Sequence, residues 1–464
     1  MRPGSGRIAR RLLLLFLLVC SPNFAQAPAE AELPFLLGGI QVNEPNHRQW
    51  SSALRAAEMN SVEATVYAFQ GDWNSEQLWW NDEELAVERE IRTAKAAGLH
   101  VVLVLRLALD HSYPENRFLW HGQVLPASEE KIDAWFERYR RFVSRWAEFA
   151  QREGVDLLAI GSEMKALVAT TPISRIGLTK RYQGFKYYQR FLRKRTLRFA
   201  EQLKAKDLVS DGSGSYVSAA EFAEARFEAQ RRWARSVYRG GESRRLERIN
   251  ATRAQLLSQW RRLIRETRQR YDGLLTYAAN FDHYDQVAFW DELDWIGINS
   301  YFSLHEQLDA ARDGEQMLHR FEAAWDEIYS KMDRFKRQQG IENRPTLLTE
   351  IGFTFRRHST VEPWNHQGFT VVGWKTRRRR LVVWRDEPVD YDERALAMRA
   401  LLNVQRRRED RLAGLLWWKL STIKAHEEIE PFVLHIGTAD TESADPLVRT
   451  LAEFHQLSER GDQQ

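Results

Sequence analysis

From Pro34 onward the chain alternates short apolar runs with longer amphipathic ones. Unbroken apolar runs of this length read as strands buried on both faces, as in a parallel sheet. Pro34-Phe35-Leu36-Leu37-Gly38-Gly39-Ile40-Gln41-Val42 is the first, and a helix is expected near His47 to Asn60. Val62 to Phe69, rich in β-branched and aromatic residues, is the second strand. A helix from Glu83 to Ala97 stops at Gly98, and His100 to Leu109 is the third strand with Asp110 at its exit. The next helix has one apolar stripe: Ile132, Trp135, Phe136, Tyr139, Phe142, Val143, Trp146 and Phe149 recur at steps of three and four. Ser128 is placed to cap it, and Gly154 closes it. Strand four is Val155 to Ser162. After a long polar stretch the rhythm resumes with Leu274 to Ala279, Asp294 to Ser300, Thr346 to Thr349 and Leu412 to Lys419 as strands five to eight. Helices are expected near Gly314 to Gln339, Glu393 to Arg408 and Pro446 to Leu457. Eight strands alternating with helices predict an α/β fold, a (β/α)8 TIM barrel.

Two of these strands end on a carboxylate. Val155-Asp156-Leu157-Leu158-Ala159-Ile160-Gly161-Ser162 runs into Glu163, and Thr346-Leu347-Leu348-Thr349 runs into Glu350. Barrel chemistry sits at the C-terminal ends of strands. Strands four and seven face each other across the mouth, so their exits can flank one substrate. Two such glutamates are what retaining glycoside hydrolysis requires: one carboxyl protonates the leaving oxygen and the other attacks the anomeric carbon. The plain alternative is that each is an ordinary loop-edge residue. Tyr301, just past strand six, is placed to hold an ionised nucleophile, or is simply a buried tyrosine. Trp417 and Trp418 point to opposite faces of strand eight, so only one is expected to face a sugar. Asn280, Asn299 and Asp282 are candidates to read hydroxyls, and Asp110 is a further one. No metal or cofactor is expected.

The stretch from about Arg175 to Tyr271 breaks the pattern. It is rich in Arg, Lys, Glu and Gln and longer than a crossover helix needs. It reads as a helical insertion (residues 175–271) between strands four and five, with breaks at Asp211-Gly212-Ser213-Gly214-Ser215 and Gly240-Gly241. After strand seven a loop carries Arg356, Arg357, Trp364 and Arg377-Arg378-Arg379-Arg380.

Composition refines this only in places. Lys and Arg total 68 against 64 Asp and Glu, a net +4, which does not argue for a nucleic-acid partner. The 17 Trp suit a protein that offers flat faces to sugar rings. Residues 1–29 read as a signal peptide: Arg2, Arg7, Arg10 and Arg11 precede the apolar run Leu12 to Cys20, with Ala25, Ala27 and Ala29 as cleavage-site residues. Export to the periplasm or medium is expected, with no stable membrane insertion after cleavage. Cys20 is the one cysteine, and Val19 before it is unlike a lipoprotein signal.

The motifs together resemble glycoside hydrolase family 113, a clan A barrel family known mainly for β-mannanases. The resemblance is carried by Trp120-His121-Gly122, by Gly154 to Glu163, by Leu275 to Asn280, by Phe289-Trp290, by Asp294-Trp295-Ile296-Gly297-Ile298-Asn299-Ser300-Tyr301-Phe302, by Leu348 to Phe353 and by Trp417-Trp418-Lys419. It implies Glu163 as acid/base, Glu350 as nucleophile and a polysaccharide or oligosaccharide substrate. A related barrel occurs in phage-tail and gene-transfer-agent proteins. The chain departs from the pattern at Ser162, where many clan A barrels carry Asn, and at Leu105-Arg106-Leu107-Ala108-Leu109-Asp110, where a Lys-Pro-His-like run is expected. Two readings follow: a retaining hydrolase of a β-linked glycan, or a catalytically silent barrel that binds glycan or cell wall.

Overall fold

The structure is a computed structural model that describes residues 33–42, 44–80, 84–117, 119–168, 208–210, 216–218, 229, 232, 233, 236, 242–305, 313–364, 369–374, 379–384, 388–408, 412–437 and 445–459. The stretch that reads as a signal peptide, Cys20 included, lies outside them.

Eight parallel strands form a closed barrel: β1 (Leu36–Gln41), β2 (Ser61–Gln70), β3 (His100–Leu109), β4 (Leu157–Ser162), β5 (Leu274–Asn280), β6 (Ile296–Asn299), β7 (Thr346–Ile351) and β8 (Gly414–Ser421). Each pairs with the next in sequence, and β1 closes the ring by pairing with both β8 and β2. Glycine permits that closure. A Cβ on Gly38 would lie 1.8 Å from the Ser61 carbonyl oxygen, so only hydrogen fits between β1 and β2 there.

Helices α1 (His47–Ala56), α2 (Glu84–Ala96), α3 (Glu129–Glu153), α4 (Glu242–Arg268), α5 (Gly314–Gln339), α6 (Tyr391–Arg407) and α7 (Pro446–Glu459) lie in the connections. Their ends follow local chemistry. The Ser128 hydroxyl accepts from the Lys131 N–H at 3.3 Å at the start of α3, and Gly154 takes φ 66° at its end. Asp313 and Gly340, the latter at φ 68°, do the same for α5. Between β5 and β6 there is no α-helix among the described residues. Two 3₁₀ turns, Tyr284–Gln286 and Trp290–Glu292, make the crossing. Buried Phe289 and Trp290 cover Tyr277 of β5 there, the job a helix does elsewhere.

The polar stretch 175–271 is not all excursion. Its last third is α4, the barrel's own fourth helix, packed on α3. Leu256, Trp260, Leu263 and Ile264 are buried at steps of three and four, an apolar face that the surrounding Arg and Glu residues mask in a composition reading. Trp260 meets Phe136 edge-on at 5.6 Å and stacks on Phe289 at 5.1 Å. Of the rest, Leu208–Ser210 and Tyr216–Ser218 pair with each other in an antiparallel hairpin and with no barrel strand. The expected break at Asp211 to Ser215 lies outside the described residues, between those two strands. The arginine-bearing segment after β7 is likewise not a plain loop. Phe369–Trp374 and Arg379–Trp384 form an antiparallel hairpin, with Gly373 opposite Arg380. Arg377 and Arg378 lie outside the described residues. No helix among the described residues is long and apolar enough to cross a membrane.

Candidate active site

Glu163 stands at the tip of β4 in the left-handed region, φ 54°. A non-glycine residue there costs on the order of 1 kcal/mol, so something must hold it. Its own N–H donates to the Ala278 carbonyl at 2.9 Å, and its carbonyl accepts from the Lys165 N–H at 2.8 Å. The next N–H, of Met164, donates to the Tyr277 hydroxyl at 2.7 Å. Tyr277 is itself locked between Trp260, Phe289 and Trp290. The α3–α4–β5 aromatic core therefore fixes the backbone that aims Glu163. The side chain meets His121, whose Nε2 lies 3.3 Å from Oε2.

Glu350, on β7, is 2% exposed and surrounded by donors from two other strands and a strand exit. Asn299 of β6 donates from Nδ2 to Oε1 at 2.7 Å, and the Tyr301 hydroxyl donates to Oε2 at 2.7 Å. Arg106 of β3 forms an ion pair with Oε1. Asn299 is oriented in turn by Thr349, whose hydroxyl donates to its Oδ1 at 2.7 Å. The same Asn299 Nδ2 lies 3.4 Å from the Ser162 hydroxyl oxygen, one residue before Glu163. One amide thus touches both the β4 tip and the β7 carboxylate.

The sequence profile of glycoside hydrolase family 113 matches residues 41–190 and 247–377, more than half of the chain's 464 residues. The chain belongs to glycoside hydrolase family 113. It is a glycoside hydrolase. The interval the profile skips, 191–246, falls within the polar stretch and ends in the first turns of α4. Solved structures with the same fold include the family 113 β-mannanase AaManA from Alicyclobacillus acidocaldarius in complex with ManMIm, at 16% identity over 92% of this chain and 99% of that one, with a TM-score of 0.53. A family 113 β-1,4-mannanase aligns at 16% identity over 91% and 99%, with a TM-score of 0.54. No curated protein matches the chain.

In this family 113 barrel the remaining candidates separate by burial. Trp417 is fully buried, and its indole N–H donates to the Phe432 carbonyl at 3.1 Å, so it is core and not a sugar platform. Trp418, on the other face of β8, is half-buried and lies 4.9 Å beneath the Arg106 guanidinium. Asn299, a candidate to read hydroxyls, is fully buried and donates to Glu350. Asn280 offers an Oδ1 with no hydrogen-bond partner among the described residues. Asp110 accepts from the Ser112 N–H at 2.8 Å through Oδ1, which closes the turn after β3. Asp282 pairs with Lys165.

Three neighbours were not singled out from sequence as site residues. Arg106 appeared only as a departure from the family pattern and His121 only as part of a motif. Glu63 of β2, 1% exposed, accepts from Arg106 at 3.3 Å. A lone carboxylate within an otherwise apolar strand was the available signal. Farther out, Trp364 is 44% exposed and stacks on Phe281 at 5.2 Å, an aromatic shelf beyond β5. Among the described residues no group of three or more His, Cys, Asp or Glu could hold a metal ion.

Electrostatics tie the two carboxyls together. Burial raises the Glu350 carboxyl and the Glu163 charge adds to that, against Arg106 and the Tyr301 hydroxyl; it lies above the usual range. Burial raises Glu163 too, but His121, by hydrogen bond and charge, then Arg106 and Asn299 outweigh it, and it lies below. The charge of each carboxyl bears on the other, so the two titrate as a pair.

Proposed function

We propose that the chain is an exported, retaining hydrolase of a β-linked glycan, with β-mannan the leading substrate, acting by double displacement. Glu350 attacks the anomeric carbon while Glu163 protonates the leaving oxygen; Glu163 then takes a proton from the water that releases the sugar. The observation that carries this is the single Asn299 amide shared by the two strand tips, with Arg106 and Tyr301 completing the donor set on Glu350. Arg106 and the Tyr301 hydroxyl favour the ionised form that a nucleophile needs, against burial and the Glu163 charge, which hold the carboxyl above its usual range. Trp418 is the aromatic face nearest this chemistry, and Trp364 with Phe281 suits a longer chain that passes beyond the catalytic pair. The mannanase activity of the relatives with this fold supports the substrate choice.

The test is reducing-sugar release from a panel of polysaccharides that includes mannan, with Glu350→Ala run alongside. Release from mannan that the variant loses supports the proposal. Retention on a glycan without release would favour the silent, glycan-binding reading instead. Export rests on the basic and apolar N-terminal pattern. N-terminal sequencing of the mature protein should find a start within Ala25 to Ala31, and an intact Met1 on exported protein would refute cleavage.

A further inference from the structure

We propose that Glu63 is a positioning residue that acts through Arg106: it takes over the guanidinium when Glu350 becomes a neutral ester, and so stabilises the glycosyl-enzyme. The inference rests on the reading of Glu350 as nucleophile.

Three buried side chains from three strands meet here. Those of Glu63, Arg106 and Glu350 are 0%, 7% and 3% exposed. One nitrogen, Arg106 Nη2, donates to both carboxyls: to Glu63 Oε1 at 3.3 Å and to Glu350 Oε1. In the register of β2 with β3, Glu63 stands opposite Val102, four residues before Arg106, so the arginine reaches back into the barrel to meet it. Glu63 has no exposed side-chain surface and does not meet a substrate itself. Among the described residues, Glu63 and Glu350 are the carboxylates paired with Arg106. Arg106 lies in the run where the chain departs from the family pattern, so this pairing is a property of this chain.

The pairing with Glu63 is half made. A guanidinium can meet a carboxylate side-on through two parallel bonds, from Nε and Nη2. Here the Nη2 bond to Glu63 is present, and both atoms of the second bond are idle. Arg106 Nε and Glu63 Oε2 are buried with no hydrogen-bond partner among the described residues. A donor and an acceptor buried without partners are costly, and these two belong to groups already in contact. Glu350 accounts for the arrangement: its ion pair holds the guanidinium between two carboxyls.

The reaction removes that pull. In the first step Glu350 bonds to the anomeric carbon, the glycosidic bond breaks, and the leaving oxygen takes the proton of Glu163. Glu350 is then an ester without charge, while Arg106 stays charged at any working pH. A buried charge that loses its partner is strongly destabilised. Glu163 has become a carboxylate, but its ion-pair neighbour is His121. Glu63 already touches Arg106, and closing the bond from Nε to Oε2 completes the fork. Burial holds the Glu63 carboxyl well above its usual range, Arg106 opposes that, and the Glu350 charge adds to it; the ester removes the last of these. In the second step water gives a proton to Glu163, its oxygen adds to the anomeric carbon, and the ester bond breaks. Glu350, a carboxylate again, draws Arg106 back.

A slow fluorinated substrate measures the two steps separately. A 2-deoxy-2-fluoro β-mannosyl fluoride, or the same derivative of whichever glycan the unmutated enzyme cleaves, inactivates at the rate of the first step and reactivates at the rate of the second. Glu63→Gln keeps the size and an acceptor oxygen but not the charge. Its inactivation should slow about 10–100-fold, the worth of one hydrogen bond to a charged group, and its reactivation should not slow. Both rates falling together would mean a merely structural role, and unchanged rates would mean none; either overturns the proposal. Glu63→Asp keeps the charge at shorter reach and should recover part of the lost rate. If Glu63→Gln does not fold, Glu63→Asp carries the test through a smaller loss confined to inactivation. Peptide mapping of the trapped enzyme keeps the two readings apart. Fluorosugar on Glu350 with unaltered rates in Glu63→Gln fails the proposal alone, whereas fluorosugar on another residue, or on none, fails the Glu350 assignment and the proposal with it.

Discussion

Glu350 and Glu163 differ in what surrounds them more than in where they stand. Glu350 is reached by Arg106, Asn299 and Tyr301, all on or next to barrel strands, and it lies within β7, where the register with both neighbouring strands shifts. Glu163 has a strained backbone, φ 54°, and its one side-chain ion-pair neighbour comes from a loop. Each glutamate has its own tyrosine: Tyr301 holds the side chain of one, and Tyr277 holds the backbone beside the other. The comparison teaches how one residue type can serve the two proposed roles. A nucleophile needs a fixed charge in a fixed place, which donors on rigid strands would supply to Glu350. An acid/base must gain and lose a proton each turnover, and Glu163 carries fewer fixed donors.

The sharpest way to break this comparison is to delete the carboxyls. Glu350→Ala should nearly abolish turnover on every substrate, and added azide should give the anomer opposite to that of the normal product, or none. Glu163→Ala should lose roughly 10²–10⁴ in rate on a glycan, the usual value of general acid–base help. With an activated aryl glycoside it should still form the glycosyl-enzyme and stall, and azide should release a β-azide. The two azide outcomes reversed would exchange the roles.

The tyrosines sharpen the same contrast at smaller cost. Tyr301→Phe removes a donor to a charged acceptor, worth about 1.5–3 kcal/mol, so kcat should fall about 10–100-fold with little change in folding. Tyr277→Phe leaves the Met164 N–H without its acceptor and loosens the Glu163 turn. Chemical denaturation should show a loss of about 1–3 kcal/mol, and the rate loss should be larger on glycans than on aryl glycosides. Equal losses on both substrates would mean that the turn serves both glutamates.

The stability counterpart concerns α4. Trp260→Ala should cost about 3–5 kcal/mol, since it empties the aromatic core beneath Tyr277. If it were instead tolerated like a surface change, α4 would belong to the insertion and not to the barrel ring.

Much of this was legible from the chain alone. Eight apolar runs gave the barrel because a strand buried on both faces must be apolar along its whole length, and that pattern is local. Glu163 and Glu350 were visible for the same reason: a carboxylate that ends such a run has only the barrel mouth to enter. The alternation of Trp417 and Trp418 was also local, though the side that faced inward was not. What the tertiary structure decided is everything that depends on which strands are neighbours in space. Arg106 and Glu63 look like ordinary strand residues until the barrel closes, and Asn299, a candidate from the sequence, gains its partner Glu350 only then. The boundary between insertion and α4 was hidden because charged residues outnumber the buried face of a long helix, and only the partner, α3, reveals which face that is. His121 was visible as part of a motif, but its place beside Glu163 was not. A loop carries no periodicity, and its contact with a strand tip is set by the path of the whole chain.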